Sequence, residues 1–299
     1  MRERERERGQ KLLKHFIRWG YRTVIKMLPR NRLGDKFFSF ILFVIRHKKF
    51  PSHQLIFNDF LYRIKTTDEI LNPLRVFVSD KEFIKIYIKS IVGDKYNVPT
   101  IAVLNTIEEV KNFSFPSHCC IKPTHASGLV ILRKNNEPVD VSEIEKWFTI
   151  NYYDVSREAN YKMLKPKVIV EPLIFEKSDV EDYKFFCFNG KARFVQVDIN
   201  RWSNHKRKYF DIEWNELDFS INYPKTTSDI PKPENFDEML NVAETLSQKF
   251  SLVRVDIYSN GISLLYVGEL TNCPDSSNAK FIPLSSELNA SQLLFRSKQ

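Results

Sequence analysis

Glycine and cysteine are both scarce in this chain of 299 residues, which contains 8 glycines and 4 cysteines. Neither the G-x-G-x-x-G fingerprint of dinucleotide-binding folds nor the G-x-x-x-x-G-K-[ST] phosphate loop occurs in the sequence. Cys119 and Cys120 are neighbours, Cys187 and Cys273 are isolated, and no cysteine or histidine pair has the spacing of a zinc site. These absences argue against a Rossmann dinucleotide site, a P-loop ATPase, structural zinc and a disulfide framework, and they predict a cytoplasmic protein.

Long apolar runs are also absent. The most apolar stretch near the amino end covers residues 37–45, nine positions with charged neighbours. A membrane-spanning helix needs about 20 apolar residues. No small-residue cleavage site follows the stretch, so we expect neither a transmembrane helix nor a signal peptide.

The amino-terminal segment combines basic and apolar residues. After the charged run RERERER (residues 2–8), the stretch 11–28 has the spacing of an amphipathic helix that ends at Pro29. We predict a basic helical arm over residues 1–64. One interpretation is an arm packed on the rest of the fold or on a second subunit, as in a homodimer. The other is an arm that lies peripherally on an anionic membrane surface through residues 10–46, at the inner face of the membrane.

The net charge of +9 admits several acidic partners, among them nucleic acid, anionic lipid and polyphosphate ligands. Hydrophobic residues make up 42% of the chain and charged residues 28%, which is enough apolar mass for a folded core. Nucleic-acid binding requires a basic stripe interleaved with exposed aromatic rings, and only the amino-terminal helix approaches this pattern. We therefore expect no nucleic-acid partner.

Helical and strand patterns alternate over the rest of the chain. Residues 67–92 and 235–250 have helical spacing, and 199–233 is polar and rich in proline, which predicts a long loop or lid. Asn189-Gly190 and Asn260-Gly261 lie between strand-like runs and predict two β-hairpins.

Two carboxylates interrupt apolar strands, where an unpaired charge is costly. Asp256 lies in LVRVDIY (252–258) and Glu269 in YVGEL (266–270). Together with phosphate oxygens they form a donor set suited to Mg²⁺, and Arg254, two positions before Asp256, can contact a phosphate bidentately. The alternative is an Arg–Asp ion pair at a sheet edge.

The expected hairpin register separates these carboxylates. A two-residue turn at Asn260-Gly261 pairs Leu252 with Glu269, which leaves Glu269 four residues, or about 13 Å, from Asp256 along the ribbon. Either the hairpin contains a bulge or a longer loop, or the metal interpretation is wrong.

Two lysines also lie in apolar strands. Lys122 comes at the end of a strand and is followed by the loop THASG (124–128), where it can reach a phosphate. Lys184 alternates with aromatic residues in EDYKFFCF (181–188) and either contacts a ligand or extends to solvent.

Taken together, the segments resemble the TupA-like ATP-grasp family of teichuronopeptide and capsular-polysaccharide biosynthesis over roughly residues 65–285. The resemblance rests on SDKEFIKIYIKSIVGDKYNVPTI (79–101), CIKPTHASG (120–128), VEPLI (170–174), DYKFFCFNGKARFVQVD (182–198), KYFD (208–211) and RVDIYSNGISLLYVGELT (254–271). It implies an α+β protein with the ATP-grasp fold, in which two α+β lobes enclose a nucleotide, preceded by the helical arm. The expected divisions are an N-terminal α/β lobe (65–118), a central lobe (about 119–172) and a C-terminal lobe (about 173–299).

The resemblance also assigns site residues, with ATP and Mg²⁺ as cofactors. Arg254 resembles the catalytic arginine, and Lys184 is a second catalytic candidate. Asp256 and Glu269 resemble the Mg²⁺ ligands; Thr271 stands where many ATP-grasp enzymes have asparagine, with Asn272 one residue later. The nucleotide contacts implied by the resemblance are Lys81, Lys122, Ser127, Gly128, Glu171 (ribose), Leu173 (adenine, through its backbone) and Lys184.

The resemblance implies an ATP-dependent carboxylate–amine ligase that works through an acyl phosphate. Its expected substrates are a sugar acid or polysaccharide acceptor and an amine or amino acid. One alternative is a glycosyltransferase or phosphotransferase of capsule synthesis on the same fold. A third is a basic, membrane-associated adaptor whose catalytic site has decayed.

Overall fold

The computed structural model describes residues 28–176, 181–199 and 205–296. Residues 1–27, which contain most of the predicted amphipathic helix, lie outside the described residues. The helices are α1 (Arg32–His47), α2 (Phe57–Thr66), α3 (Pro73–Phe77), α4 (Phe83–Ile91), α5 (Ile107–Asn112), α6 (Val141–Thr149), α7 (Tyr153–Ser156), α8 (Phe236–Ser247) and α9 (Ser286–Leu294). The strands are β1 (Ala102–Leu104), β2 (Cys119–Pro123), β3 (Ile131–Arg133), β4 (Val168–Glu171), β5 (Glu181–Phe188), β6 (Lys191–Ile199), β7 (Lys206–Asp211), β8 (Ser220–Ile221), β9 (Leu252–Ser259), β10 (Leu265–Thr271) and β11 (Phe281–Ile282).

The strands form two principal antiparallel sheets. A four-stranded sheet has the order β1-β4-β2-β3, and a five-stranded sheet has the order β10-β9-β5-β6-β7; β8 and β11 form a small separate ladder. Helices α5 and α6 pack on the smaller sheet around Trp147 and Ile144. Antiparallel sheets with helices on their faces confirm the predicted α+β class.

One face of the five-stranded sheet is mainly apolar. Alternate residues of β5 and β9, such as Phe185 and Val255, pack against the apolar side of α8 and against Ile84 and Ile88 of α4. The prediction of a helix over 235–250 is confirmed by α8, whose buried residues include Met239, Val242 and Leu246. The period-2 pattern of a strand therefore directs Tyr183, Phe185 and Cys187 of β5 into this core.

The opposite face of the same sheet is apolar at one end and charged at the other. At one end Phe186, Phe194 and Leu252 are buried against α2 and α9. At the other end the even-numbered positions are charged, among them Asp182, Lys184 and Asp256, and no helix covers them in the described part of the chain. The uncovered, charged half of this face is the floor of the site.

Several local predictions differ from the structure. The predicted helix over 67–92 is divided into a 3-10 turn (Asp68–Leu71), α3 and α4, because Pro73 begins a new helix and the Asp80 carboxylate accepts from the backbone N–H groups of Glu82 and Phe83. The predicted polar loop over 199–233 contains β7 and β8. Its strand character was missed because the basic residues of KRKYF hide an alternation that buries Tyr209 on one face and Phe210 on the other.

The two predicted hairpins have different loops. Asn189 and Gly190 both have positive φ (48° and 73°), as a two-residue type I′ turn requires, so this prediction is confirmed. The β9–β10 connection is instead a five-residue loop from 260 to 264, in which the Asn260 side chain accepts from three successive backbone N–H groups.

That longer loop and one β-bulge decide the register of Asp256 and Glu269. Ser259 pairs with Leu265 and Ile257 with Val267, which moves the register three positions from that of a two-residue turn. The ladder then skips Gly268, so that Asp256 lies directly opposite Glu269. The four-residue separation expected from a tight turn is thereby removed, and the two carboxylates are cross-strand neighbours.

No helix among residues 28–176, 181–199 and 205–296 is long and apolar enough to cross a membrane.

Replacing Gly268 by alanine should destabilise the fold. A Cβ at this position would lie 2.7 Å from Cε2 of Tyr258, on the neighbouring strand. Overpacking of this kind costs about 1–3 kcal/mol. We expect a fall of that size in the free energy of unfolding, measured by urea denaturation. Adding Tyr258→Leu should restore part of the loss; equal instability of the double variant would show that the Tyr258 contact is not the cause.

Candidate active site

A cleft of about 430 Å³ opens between the two principal sheets. Strands β2, β3 and β4 and the loop after β2 form one wall, and the charged half of the five-stranded sheet forms the floor. The charged residues that line the cleft are Lys81, Lys122, Lys184, Arg207, Arg254, Glu171, Asp182, Asp198, Asp256 and Glu269. Five cations thus face five carboxylates in one small volume.

Lys184 lies at the centre of the floor among three carboxylates. Its Nζ is 2.9 Å from Asp256 Oδ2 and 3.9 Å from Asp198 Oδ2, and it also donates to Asp182. The lysine side chain is only 5% exposed, so it does not extend to bulk solvent. Burial disfavours its ammonium form, but the carboxylates of Asp182 and Asp256 outweigh that penalty and raise the pKa of Lys184.

Arg254 joins the two cross-strand carboxylates. Its Nε and Nη2 donate to Asp256 at 2.6 and 2.7 Å, a bidentate pair, and Nη2 is also 3.3 Å from Glu269 Oε1. Thr271 accepts from Arg254 Nη2 and donates to Glu269, at 3.0 and 3.1 Å. Burial opposes ionisation of Glu269, yet Arg254, Lys81 and Lys184 lower its pKa to about 2. For Asp256 the balance is different: burial raises the pKa of this carboxyl, although Arg254 and Lys184 oppose the rise.

On the opposite wall, Glu171 lies between two lysines. Its two oxygens are each 2.6 Å from an ammonium nitrogen, one from Lys85 and the other from Lys122. The glutamate is buried, and despite the cost of burial the two lysines lower its pKa. Burial opposes the charge on Lys122 as well, but Glu171 raises the pKa of that lysine. Lys122 is therefore a charged group fixed at the end of β2.

Lys81 is attached to the loop that follows β2. Its backbone N–H donates to Thr124 O at 3.0 Å, and its ammonium group donates to the carbonyl of Ala126. Asp80, the preceding residue, accepts from the Thr124 hydroxyl at 3.1 Å. Burial, with a further contribution from Lys122, lowers the pKa of Lys81 although Glu269 opposes this. The loop and its two lysines form one basic corner of the cleft.

The same wall also provides an apolar section. It consists of Val98, Leu129, Val130, Leu132, Pro172, Leu173 and Ile174. Ser127 and Gly128 lie between this section and the lysines, and Gly128 has a φ of 79°, which suits glycine. An apolar wall beside a basic corner matches the division of a nucleotide into base and phosphates.

The far end of the floor contains His205, Arg207 and Tyr223. Arg207 donates through Nε to Asp198 at 2.7 Å and lies over the Tyr223 ring, 4.5 Å from its centroid. The His205 ring is 3.9 Å from the same tyrosine ring. This end combines two aromatic rings with a guanidinium group.

The structure brings most of the predicted site residues together. Ten of them line the cleft: Lys81, Lys122, Ser127, Gly128, Glu171, Leu173, Lys184, Arg254, Asp256 and Glu269. Thr271 does not line the cleft but contacts Arg254 and Glu269 directly.

Asn272 is not brought to the cleft. Its amide nitrogen donates to Arg75 O and Ser79 Oγ, and its oxygen accepts from Arg75 Nη1 at 3.0 Å. Strand alternation points it away from Thr271, into the contact between β10 and α3. The structure therefore gives Asn272 a supporting position rather than a metal-binding one.

Sequence reasoning did not identify Lys85, Asp182, Asp198 or Tyr223 as site residues. Lys85 follows Lys81 by one helical turn, a spacing that could have indicated it. Asp182 and Asp198 stand opposite each other on β5 and β6, a pairing that only the hairpin register reveals.

The donor set suits Mg²⁺ held partly by a phosphorylated ligand. Asp256 and Glu269 are cross-strand neighbours at the cleft surface, and Mg²⁺ commonly takes one or two carboxylates together with substrate phosphates. In the part of the chain that is described, no group of three or more His, Cys, Asp or Glu side chains is placed to hold a metal without such help. The residues present therefore fit an ion that binds with the nucleotide.

Two α+β lobes that close on a cleft with this arrangement of lysines and carboxylates are typical of the ATP-grasp class. The sequence model described as TupA-like ATP-grasp matches residues 61–290. The chain belongs to this family, as its resemblance predicted. No curated protein matches the chain.

The chain is also similar, at low sequence identity, to solved structures of ligases. D-alanine–D-alanine ligase from Bacillus anthracis, complexed with ATP, is 16% identical, with a TM-score of 0.38, over 73% of this chain and 62% of that one. L-amino acid ligase from Bacillus licheniformis is 12% identical, with a TM-score of 0.46, over 82% of this chain and 58% of that one. The chain spans about three fifths of the length of each of these enzymes.

Replacing Lys184 by methionine should destabilise the protein because three buried carboxylates lose their shared cation. Breaking a buried ion pair costs about 3–5 kcal/mol. Without the lysine the carboxylates repel one another, which raises their pKa in the folded state. The decrease in the free energy of unfolding should therefore be greatest at neutral pH and should become smaller as the pH falls through that raised pKa. Urea denaturation at several pH values measures the free energy of unfolding.

The matched control is Lys191→Met, which removes a lysine paired with Glu244 at the surface, where the lysine side chain is 44% exposed. The free energy of unfolding of this variant should be less than about 1 kcal/mol below that of the unmodified protein at every pH. Equal losses in the two variants would contradict the role given to Lys184.

Proposed function

We propose that this protein is an ATP-dependent carboxylate–amine ligase that modifies a sugar acid or a polysaccharide with an amine or amino acid. The observation that carries the proposal is the cross-strand pair Asp256–Glu269 under Arg254, facing Lys81 and Lys122 across one cleft. Carboxylates for a metal on one side and lysines for phosphates on the other suit phosphoryl transfer. No serine, cysteine or histidine nucleophile is required for this chemistry.

The nucleotide would bind mainly to the wall that faces the floor of the cleft. The apolar section that includes Leu129 and Leu173 would receive the adenine base, and Lys81 and Lys122 would contact the phosphates. Glu171 would hold Lys122 in place and could accept from the ribose. Mg²⁺, bound by Asp256 and Glu269, would neutralise phosphate charge.

The proposed reaction has two steps. A carboxylate oxygen of the acceptor attacks the γ-phosphorus of ATP, the bond to the β-phosphate oxygen breaks, and an acyl phosphate and ADP form. The amine nitrogen then attacks the acyl carbon, the carbon–oxygen bond to phosphate breaks, and an amide and inorganic phosphate result. Arg254, which lines the cleft beside Asp256, would stabilise negative charge in both steps, and the walls of the cleft would limit access of water.

The acceptor would lie at the end of the floor that contains His205, Arg207 and Tyr223. A guanidinium group attracts a carboxylate, and the aromatic ring of Tyr223 offers a flat apolar surface to a sugar. The four free cysteines are consistent with a reducing compartment, so we place the reaction in the cytoplasm.

MgATP binding tests the proposed nucleotide site. We expect calorimetry to give micromolar affinity that requires Mg²⁺ and falls at least tenfold, about 1.4 kcal/mol, in the variant Asp256→Asn with Glu269→Gln. The control variant, Asp237→Asn with Glu145→Gln, removes carboxylates whose side chains are 89% and 55% exposed. It should bind MgATP like the unmodified protein.

Product analysis tests the ligation itself. A uronic acid acceptor with hydroxylamine in place of the amine should yield a hydroxamate and one ADP per turnover. Consumption of a sugar nucleotide without ADP would favour the glycosyltransferase alternative. A folded protein that does not bind MgATP would favour the decayed adaptor.

MgATP affinity should also depend on pH through Lys81. Because burial lowers its pKa, the free protein loses this charge at a lower pH than an ordinary lysine would. Phosphate contact favours the charged form, so affinity should be full below the lowered pKa and decline as the pH rises through it, over a pH range below that in which an ordinary lysine titrates. Calorimetry in buffers of different ionisation enthalpy measures the accompanying proton uptake.

Lys81→Arg should reduce both the decline of MgATP affinity with rising pH and the proton uptake on binding, because arginine stays charged over the pH range in which Lys81 titrates. Lys89→Arg, at a lysine whose side chain is 66% exposed, serves as the control and should change neither. An unchanged pH profile in Lys81→Arg would remove Lys81 from the nucleotide site.

A further inference from the structure

Helix α1 buries one face and exposes another that is apolar. Its buried residues are Gly34, Asp35, Phe38, Ser39 and Phe43. On the opposite side, at 100° per residue, an arc of about 100° contains only apolar side chains along the helix. These are Leu33, Phe37, Phe40, Ile41 and Val44. Leu33 is 75% exposed and Phe37 50% exposed, where a surface helix ordinarily carries polar residues.

Phe50 extends this surface beyond the end of the helix. Lys48 ends α1 in the left-handed conformation, and the chain then brings Phe50 back against Phe40, with the two rings stacked 5.9 Å apart. Phe50 is 72% exposed. We call Leu33, Phe37, Phe40, Ile41, Val44 and Phe50 the outer face of α1.

Positive charge lies beside the outer face. Residues 28–50 contain six lysines and arginines and a single carboxylate, Asp35. Three of the six cations, Arg30, Arg32 and Lys49, are paired with carboxylates of other segments, and the other three are Lys36, Arg46 and Lys48. Asp35 is buried and accepts from the Tyr153 hydroxyl at 2.5 Å, so it contributes little negative charge to the surface. Lys36 lies beside the apolar arc on α1, and Lys48 lies at the carboxyl end of the helix; both are exposed.

The helix is held firmly against the rest of the protein. Arg157 donates to the carbonyls of Leu28 and Pro29, immediately before α1, and Phe43 packs edge-on against Tyr62 of α2 at 5.2 Å. The outer face is therefore presented in a fixed orientation. It is the convex surface of a single helix rather than a groove, a shape suited to a flat partner.

We infer that the outer face of α1 binds an anionic lipid surface, with Leu33, Phe37 and Phe50 inserted among the acyl chains and Lys36 and Lys48 at the headgroups. An apolar helical face with basic flanks is the pattern of interfacial helices, and a negatively charged leaflet attracts the cations beside it. The inference does not depend on the nucleotide site. The competing occupants are a second copy of this chain and its own residues 1–27.

Vesicle co-sedimentation of the full-length protein tests the inference. The vesicles contain phosphatidylcholine alone or with about 30 mol % phosphatidylglycerol, a charge that attracts basic segments. The variant Leu33→Gln, Phe37→Gln, Phe50→Gln changes exposed side chains only. The matched control is Ile86→Gln, Ile262→Gln, Leu264→Gln, at residues 57%, 61% and 50% exposed.

The unmodified protein and the control should bind the anionic vesicles, and the outer-face variant should bind at least tenfold more weakly. Lys36→Glu with Lys48→Glu should weaken binding to anionic vesicles only, and added salt should weaken the binding of the unmodified protein. MgATP affinity should be the same in all variants, so that a failed nucleotide site and a failed lipid surface give different results.

Three outcomes would overturn the inference. Equal vesicle binding by the outer-face variant would assign the binding to another segment, such as residues 1–27. Absence of binding to anionic vesicles by the unmodified protein would exclude a lipid surface. A dimer in solution that dissociates in the outer-face variant would make a second copy the occupant.

Discussion

The ion pairs between Lys184, Arg254 and the carboxylates of the five-stranded sheet are the constraint on which the site depends. A sheet whose face is half charged can remain folded only if each buried charge has a partner. Asp256 has two partners, Arg254 on its own strand and Lys184 on the neighbouring strand. The same contacts that make this face stable also orient Asp256 and Glu269 toward the cleft, so stability and the proposed chemistry depend on the same atoms.

The position of the cleft follows from where helices cover the sheet. Helices α2 and α9 cover the end marked by Phe186 and Phe194, and the smaller sheet faces the charged end from across the cleft. Lys122 and Glu171 come from adjacent strands of that smaller sheet, and Lys81 is joined to it through Thr124. The floor supplies most of the carboxylates, whereas the wall supplies lysines and an apolar surface. This division of charge is what a metal–polyphosphate ligand requires on its two sides.

Residue patterns within individual β-strands predicted several of the site residues. Apolar strands interrupted by Lys122, Lys184 and Asp256 marked the site because a charge in such a strand needs a partner or a ligand. The Asn189-Gly190 turn and the helix α8 were likewise evident from local chemistry. Contacts between distant segments were not predicted. Lys85, which pairs with Glu171, was missed, and Asn272, which was expected near the metal, contacts Arg75 and Ser79 instead.

The sequence alone determined the α+β class, the family resemblance and ten of the residues that line the cleft, because these depend on residue type and local spacing. Tertiary structure decided whether Asp256 and Glu269 meet. A loop three residues longer than a tight turn and a bulge at Gly268 shift the register by four positions. Register is set by pairing and packing between strands rather than by either strand alone, so no local pattern could have supplied it.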